Sequence, residues 1–448
     1  MDFFSKLAVV ADRPGFNWKG LVLGSTVGHY LFDSYLEYRQ YNFLLGYKPK
    51  PDADEETVKT VQKAREYHLA KSRFRLFSSA IDFVINFSTI KFNLLPKLYS
   101  SVGNLLSKVS SAPLWLVGST SQSIFLFLGV QVISSLVTLP LRYYSTFVLE
   151  EKFGFNKTTK KVFFTDIIKE QVLSVVIGAP VMAAFIKIVE YFGDSFFVYV
   201  WAAFFTFQIF MISIAPSLIM PLFNKFTPLE DGSLKTRINA LAAQVKFPLT
   251  KLFLIDGSKR SSHSNAYFTG LPWSKRIVLF DTLIEKSSED EIVAVIGHEI
   301  GHWAKSHLLK TLIFSQANLS LIFLLFSAFF RNNSFYTSFG FAPVANQPII
   351  IGFMLFMDVL KPVECVMGFL SNVISRKHEY EADAYAVDLD YGKDLCSALQ
   401  VLVKENLSIE GADPLYSAYH HSHPLTPERV SMIQKLMKQK EDAEKKEK

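Results

Sequence analysis

His298-Glu299-Ile300-Gly301-His302 sets two imidazoles four residues apart, with a carboxylate directly after the first. Four residues are about one helical turn. On a helix both rings therefore project from one face at a separation suited to a single tetrahedral Zn2+, and Glu299 lies beside them. A helix is what the surroundings specify, because Ser288 followed three residues later by Glu291 reads as a capping box ahead of a periodic apolar run. A zinc ion with an open fourth position brings the pKa of a water toward 7. Glu299 can then take its proton during attack on a peptide carbonyl and return it to the departing amine. The spacing points to peptide hydrolysis.

Such a zinc site takes a third protein ligand. In Arg376-Lys377-His378-Glu379-Tyr380-Glu381-Ala382-Asp383 the carboxylates Glu379 and Asp383 share one helix face. This sets Glu379 on the metal and Asp383 one turn along, within reach of the outer nitrogen of a ligand histidine. Glu381 and His378 fall off that face and read as a solvated helix surface. Further on, His420-His421-Ser422-His423-Pro424 and then Arg429 form a second concentration of nitrogen side chains, and a zinc protease needs a donor for the developing oxyanion. Between these segments Leu252 to Asp256, Ser264 to Phe268 and Arg276 to Asp281 read as short strands punctuated by Gly257 and Gly270. They imply a small sheet beside the zinc helix, whose edge could hold an extended peptide by strand addition.

The elements that must carry these residues are mostly apolar. Half of the 448 residues are hydrophobic, 42 are Phe, and mean hydropathy is +0.21, which leaves few charges to cover a water-facing surface and indicates a polytopic membrane protein. Ala112 to Leu141, Ser195 to Asn224 and Thr311 to Phe330 are uncharged runs that reach or exceed the roughly 20 residues a spanning helix needs. Asn332 to Met357 is a further span, its helix expected to begin near Pro343. Gln171 to Ile186 is another if its end charges snorkel. Asn17 to Leu45 and Arg73 to Leu95 carry Asp33, Glu37 and Asp82, which lipid would penalise, so as spans they imply a polar interior. The expected count is seven. Only Cys365 and Cys396 are present, too few for a disulfide framework. A net charge of +6 without a basic, aromatic-interleaved stripe argues against nucleic acid as a partner.

Lys and Arg crowd the connections from Lys48 to Arg75 and from Arg142 to Lys169, and are missing from Glu190 to Ser195 and Asn332 to Gln347. By the positive-inside rule the N-terminus is lumenal, and the segment Lys225 to Lys310 and the C-terminal tail are cytosolic. No short apolar stretch with a small-residue cleavage site opens the chain, so the first span is expected to be a retained anchor. Lys445 and Lys446, ahead of Glu447 and Lys448, resemble a dilysine retrieval signal. The expected organisation is helices 1–5 over 1–224, a catalytic segment over 225–310, helices 6 and 7 over 311–373, and a second catalytic segment with a charged tail over 374–448.

Taken together, HEIGHW, the EYEAD segment, SHSNAYFTG upstream and HSHP with Arg429 downstream resemble the type I CAAX prenyl protease family over almost the whole chain. The resemblance implies a mainly α fold: a seven-transmembrane-helix bundle enclosing a polar chamber, with a cytosolic-side α+β zinc metalloprotease domain. It implies one Zn2+ per chain on His298, His302 and Glu379, Glu299 as base, Asn265 touching substrate, and His423 with Arg429 stabilising the transition state. The substrates it implies are prenylated CaaX proteins or peptides that lose their last three residues and, in fungal relatives, a mating-pheromone precursor cut a second time. The implied setting is the lipid of the endoplasmic reticulum and inner nuclear membrane. HExxH with a downstream Glu also belongs to membrane quality-control zinc proteases, and a chaperone or conduit could use a polar chamber without hydrolysis.

Overall fold

The computed structural model describes residues 10, 12–108, 118–271, 274–341 and 347–447. Helix α1 (Trp18–Gly46) starts on Asn17, whose Oδ1 accepts from Gly20 N at 2.7 Å. Helix α2 (Glu55–Lys91) starts on Asp54, which accepts from Thr57 N at 2.7 Å. After α3 (Leu94–Ser107), helix α4 (Ser119–Tyr144) continues through a π-helical stretch to Phe153. Helices α5 (Lys160–Leu173) and α6 (Ala179–Phe192) form one run that turns at Gly193, where φ is +54°, into α7 (Phe196–Ile214). Helices α6 and α7 pack together, so the run folds back on itself.

Strand β1 (Phe226–Pro228), α8 (Ser233–Gln244), β2 (Leu249–Ile255), β3 (Ala266–Leu271) and β4 (Ser274–Phe280) follow. The sheet order is β1-β2-β4-β3, with β2 and β4 parallel and both outer pairs antiparallel. Three of the strands lie where the branched and aromatic runs indicated, shifted by a few residues, while β1 carried too little pattern to be read. At Gly270, φ is +108° and a Cβ would stand 2.3 Å from Ser274 O, so only glycine permits the tight return from β3 to β4. Helix α9 (Asp281–Lys286) leads to α10 (Glu289–Ala304), α11 (His307–Phe326), α12 (Asn333–Ser338), α13 (Ile349–Asp388), α14 (Gly392–Glu405), α15 (Pro414–His420) and α16 (Thr426–Glu447).

By length and composition, three segments among the described residues could cross a membrane: Ser119–Phe153, Lys160–Leu222 and His307–Phe326. The expected start of one span at Ala112 and of another near Pro343 lie outside the described residues. The expected last span and the following ligand segment, read as two helices, are one: α13 runs unbroken for 40 residues and carries Pro362 within it. Nothing between Pro362 and Asp388 is glycine or proline except Gly368, so no residue there terminates the helix.

Burial along these helices is discontinuous. Helix α1 buries Trp18, Val22 and Thr26, then nothing until Leu36, and α2 buries nothing between Ser72 and Ile90. In α13 the gap runs from Leu360 to His378, and in α11 from His307 to Phe323. A helix packed along its whole length would bury a continuous stripe. Here one core, built from Trp18, Phe196, Phe326, Phe335, Tyr336 and Phe356, ties the helices at one end. A second, with Ile238, Leu252, Leu279, Val293 and Ile300, lies in the sheet domain at the other. Roughly 25 Å of helix, at 1.5 Å per residue, separates Leu360 from His378.

Helices α10 and α13 meet where Gly301 faces Ala382. A Cβ at Gly301 would stand 3.0 Å from Ala382 O and 3.1 Å from Tyr385 Cβ. That contact sets how near Glu379, one turn before Ala382, comes to the two histidines of α10. Gly301→Val is expected to cost about 1–3 kcal/mol through overpacking and to widen the gap. An earlier melt in detergent together with lowered metal content checks this, and a variant that keeps both removes the contact from its controlling position.

Candidate metal centre

Helix α10 begins with the capping box anticipated from sequence: Ser288 Oγ accepts from Glu291 N and Glu291 returns a bond to Ser288 N at 2.8 Å. This phases the helix so that His298 and His302 share a face. Their Nε2 atoms are 3.2 Å apart. Glu379, on α13, brings Oε1 to 3.3 Å from His302 Nε2 and Oε2 to 3.6 Å from His298 Nε2. Ligand atoms about 2.0–2.1 Å from a tetrahedral ion are roughly 3.3–3.4 Å from one another, and one atom from each of these three residues lies within 4.8 Å of the others, close enough for small side-chain adjustments to hold one small cation. Glu379 Oε2 is buried without an aligned hydrogen-bond donor, which leaves a lone pair open to a cation. Two imidazoles and one carboxylate suit zinc chemically.

Around the triangle the remaining candidates fall into two groups. Asp383 is completely buried and accepts from His298 Nδ1 at 2.9 Å. Arg429 closes that side, donating to Asp383 through Nε at 2.9 Å and Nη2 at 2.6 Å, with Nη1 3.3 Å from Glu379 Oε2. His423 stands in the open on the other side, its Nδ1 3.0 Å from Glu379 Oε2. Glu299 makes no hydrogen bond or ion pair among the described residues. Asn265 does not join the cluster by hydrogen bonds: it is exposed at the start of β3, its Oδ1 accepting from Ala266 N. Strand β3 is an edge of the sheet and packs against α10.

Electrostatics separate the two glutamates. Burial pushes the Glu299 carboxyl up, and the nearby Glu379 adds to this against the opposing histidines and Arg429. Burial would raise Glu379 as well, but His302 and His423 beside it and the charge of Arg429 hold it well below the usual carboxylate range. One carboxylate is thus suited to accept a proton and the other to remain an anion.

Two residues taken for a solvated face are not. His378 is buried and stacks on His307, ring centroids 4.0 Å apart at 11°, and Glu381 Oε2 lies 2.9 Å from His307 Nε2. His307 escaped the sequence reading. It is five residues beyond His302, a spacing that an unbroken helix would send to another face, yet its Nδ1 is 2.9 Å from His302 Nδ1.

Residues 40–225 match the family profile described as CAAX prenyl protease N-terminal, five membrane helices, and residues 228–437 match Peptidase family M48. The chain is 48% identical to CAAX prenyl protease 1 of Saccharomyces cerevisiae over 451 residues, covering 97% of this chain and 99% of that one. The Homo sapiens CAAX prenyl protease 1 homolog is 36% identical over 453 residues, covering 92% and 94%. The crystal structure of S. mikatae Ste24p superposes with a TM-score of 0.87 at 48% identity, over 94% of this chain and 100% of that one. The chain belongs to the CAAX prenyl protease 1 family. It is a multi-pass membrane metalloprotease of the M48 type, as the HExxH helix and the apolar runs indicated.

Glu379→Ala removes one of the three side chains that could hold a metal and leaves Arg429 facing fewer anions. Metal content by elemental analysis after mild chelation is expected to fall well below one ion per chain. Stoichiometric metal in that variant would shift the third ligand elsewhere, with Glu381 the next carboxylate along.

Proposed function

We propose that this protein is a zinc endopeptidase that removes the last three residues of prenylated CaaX proteins, and that it works inside a water-filled chamber enclosed by seven membrane-spanning helices. The observation that carries the reading is the triangle of His298, His302 and Glu379, with an unpaired, proton-accepting Glu299 beside it. Bound zinc would supply Lewis acidity, polarising the substrate carbonyl and acidifying water. Glu299 takes the proton of the attacking water on a carboxylate oxygen and delivers it to the departing amine. His423, exposed on the open side of the site, donates to the developing oxyanion. Arg429, its donors engaged by Asp383 and Glu379, offsets part of the charge of the two buried carboxylates and, through Asp383, keeps His298 in register. The free edge of β3 takes the extended peptide as an added strand, with Asn265 at its entrance.

The chamber is supported by the burial gaps in α1, α2, α11 and α13, which leave the middle of the bundle without a core. Polar pairs occur in the same helices: His29 Nε2 is 3.2 Å from Asp33, and Arg75 Nη1 is 2.8 Å from Glu37. Lipid would make such groups costly, whereas a hydrated interior does not. The distribution of Lys and Arg supports a lumenal N-terminus and a cytosolic catalytic side. The endoplasmic reticulum and inner nuclear membranes, the four-segment organisation over 1–224, 225–310, 311–373 and 374–448, and a second cut in a farnesylated pheromone precursor extend the same reading.

Purified protein in detergent, given farnesylated and unfarnesylated CaaX peptides, is expected to release the terminal tripeptide from the farnesylated one. Equal cutting of both, or cuts at scattered bonds, would favour a quality-control protease instead. Glu299→Gln is expected to keep its zinc and lose hydrolysis, since the ligands are untouched and the proton acceptor is gone. For His423→Ala the expectation is a kcat lower by about two to three orders of magnitude with KM and metal content unchanged. Loss of metal in that variant would instead place His423 among the ligands.

A further inference from the structure

Ser306 separates the metal helix from the helix that follows it, and it does so at φ +55°, in the left-handed region that few non-glycine residues occupy. On an unbroken helix residues five apart lie about 140° around and roughly 7.5 Å along the axis, too far for their rings to bond. The break turns the chain so that His307, the first residue of α11, folds back onto His302 with ring centroids 5.0 Å apart.

The protons in this contact can be assigned. His302 directs Nε2 at Glu379 and at His298 Nε2, so Nε2 is its metal-facing atom, on the reading of the metal centre given above. Its Nδ1 therefore carries the proton and donates across 2.9 Å to His307 Nδ1. His307 must then hold its own proton on Nε2, which donates to Glu381 Oε2 at 2.9 Å. Glu381 is also within 3.7 Å of Lys310 and of Lys377, and His378 lies flat against the His307 ring. A single proton arrangement satisfies every member. We propose that His307 and Glu381 are positioning residues for the metal ligand His302, a relay that fixes its tautomer and ring plane as Asp383 does directly for His298. Each ligand imidazole is thus backed by its own carboxylate, and the relay fastens the first residue of α11 and the ligand-bearing turn of α13 to the metal helix. Partners of this kind raise ligand basicity and typically change metal affinity by roughly 10- to 100-fold.

The test uses the full chain in detergent, stripped of metal and titrated with Zn2+ against a chelating dye and with Co2+ for its d–d absorption spectrum. His307→Phe keeps an aromatic ring against His378 but neither accepts nor donates. It is expected to weaken Zn2+ binding by roughly 10- to 100-fold and to alter the cobalt spectrum, while the metal-free protein still folds, with at most a modestly earlier melt. His307→Gln, whose amide oxygen can accept from His302 and whose amide N–H can donate to Glu381, is expected to bind close to wild type. Glu381→Ala should weaken binding less than His307→Phe, and the double variant no more than His307→Phe alone, because the groups act in series. Wild-type Zn2+ affinity with an unaltered cobalt spectrum in His307→Phe would overturn the relay, as would equal losses in His307→Gln and His307→Phe. Should His307→Phe fail to fold, Glu381→Ala decides, and unchanged affinity and spectrum there would also overturn it. Glu379→Ala measured in parallel separates the two readings. Lost metal there with none lost in His307→Phe removes only the relay, whereas retained metal there removes the metal centre itself.

Discussion

Side-chain atoms of His298, His302 and Glu379, from two helices that are far apart in sequence, lie within 4.8 Å of one another where they could hold a metal, and much else in the protein answers to that closeness. Side chains as short as histidine and glutamate can meet so closely only if the helix backbones do, which is why Gly301 lies against the Ala382 carbonyl. Close approach buries Glu379 and Asp383, and buried anions are stable only when paired. Arg429 faces both, and its own burial is tolerable because they face it. The fold has therefore assembled a cluster in which buried carboxylates outnumber the one guanidinium, and a divalent cation would offset the remaining negative charge.

The membrane part meets a second requirement. On the proposed function, a prenylated substrate carries a lipid group, whereas hydrolysis needs water at the scissile bond. A bundle packed solid would satisfy neither. These helices are tied by aromatic side chains at one end and by the sheet domain at the other, with long stretches between that bury nothing. Helix α13 crosses that whole distance and delivers Glu379 at its far end, so one helix joins the apolar core to the candidate metal site. A rigid, unbroken helix does this better than two joined by a loop, because a loop would let the ligand drift relative to the bundle.

How far the sequence spoke depended on how local the signal was. The HExxH spacing, the Ser288/Glu291 capping box and the Glu379/Asp383 pair are contained within one or two helical turns, and each lies where its spacing indicated. The apolar runs gave the membrane class for the same reason. The continuity of α13 was missed because a change from apolar to charged residues was read as a change of element, although no breaker stands there. His378 and Glu381 were assigned to solvent from helix phase alone. Phase cannot register a partner supplied by another helix, and that partner, His307, is placed by a left-handed backbone at a serine that carries no mark of it.

Arg429 and His423 were both candidates to stabilise the oxyanion, and their surroundings divide the work. An oxyanion donor must have a hydrogen free in the direction where charge develops. Arg429 has Nε and Nη2 committed to Asp383 and Nη1 turned toward Glu379, and it is buried behind the ligands. His423 is on the exposed side, and its one close partner, Glu379 Oε2, is an atom that a bound cation would claim. A donor for the oxyanion needs a side chain that is exposed and not committed to several anions, and of the two His423 meets that condition while Arg429 does not.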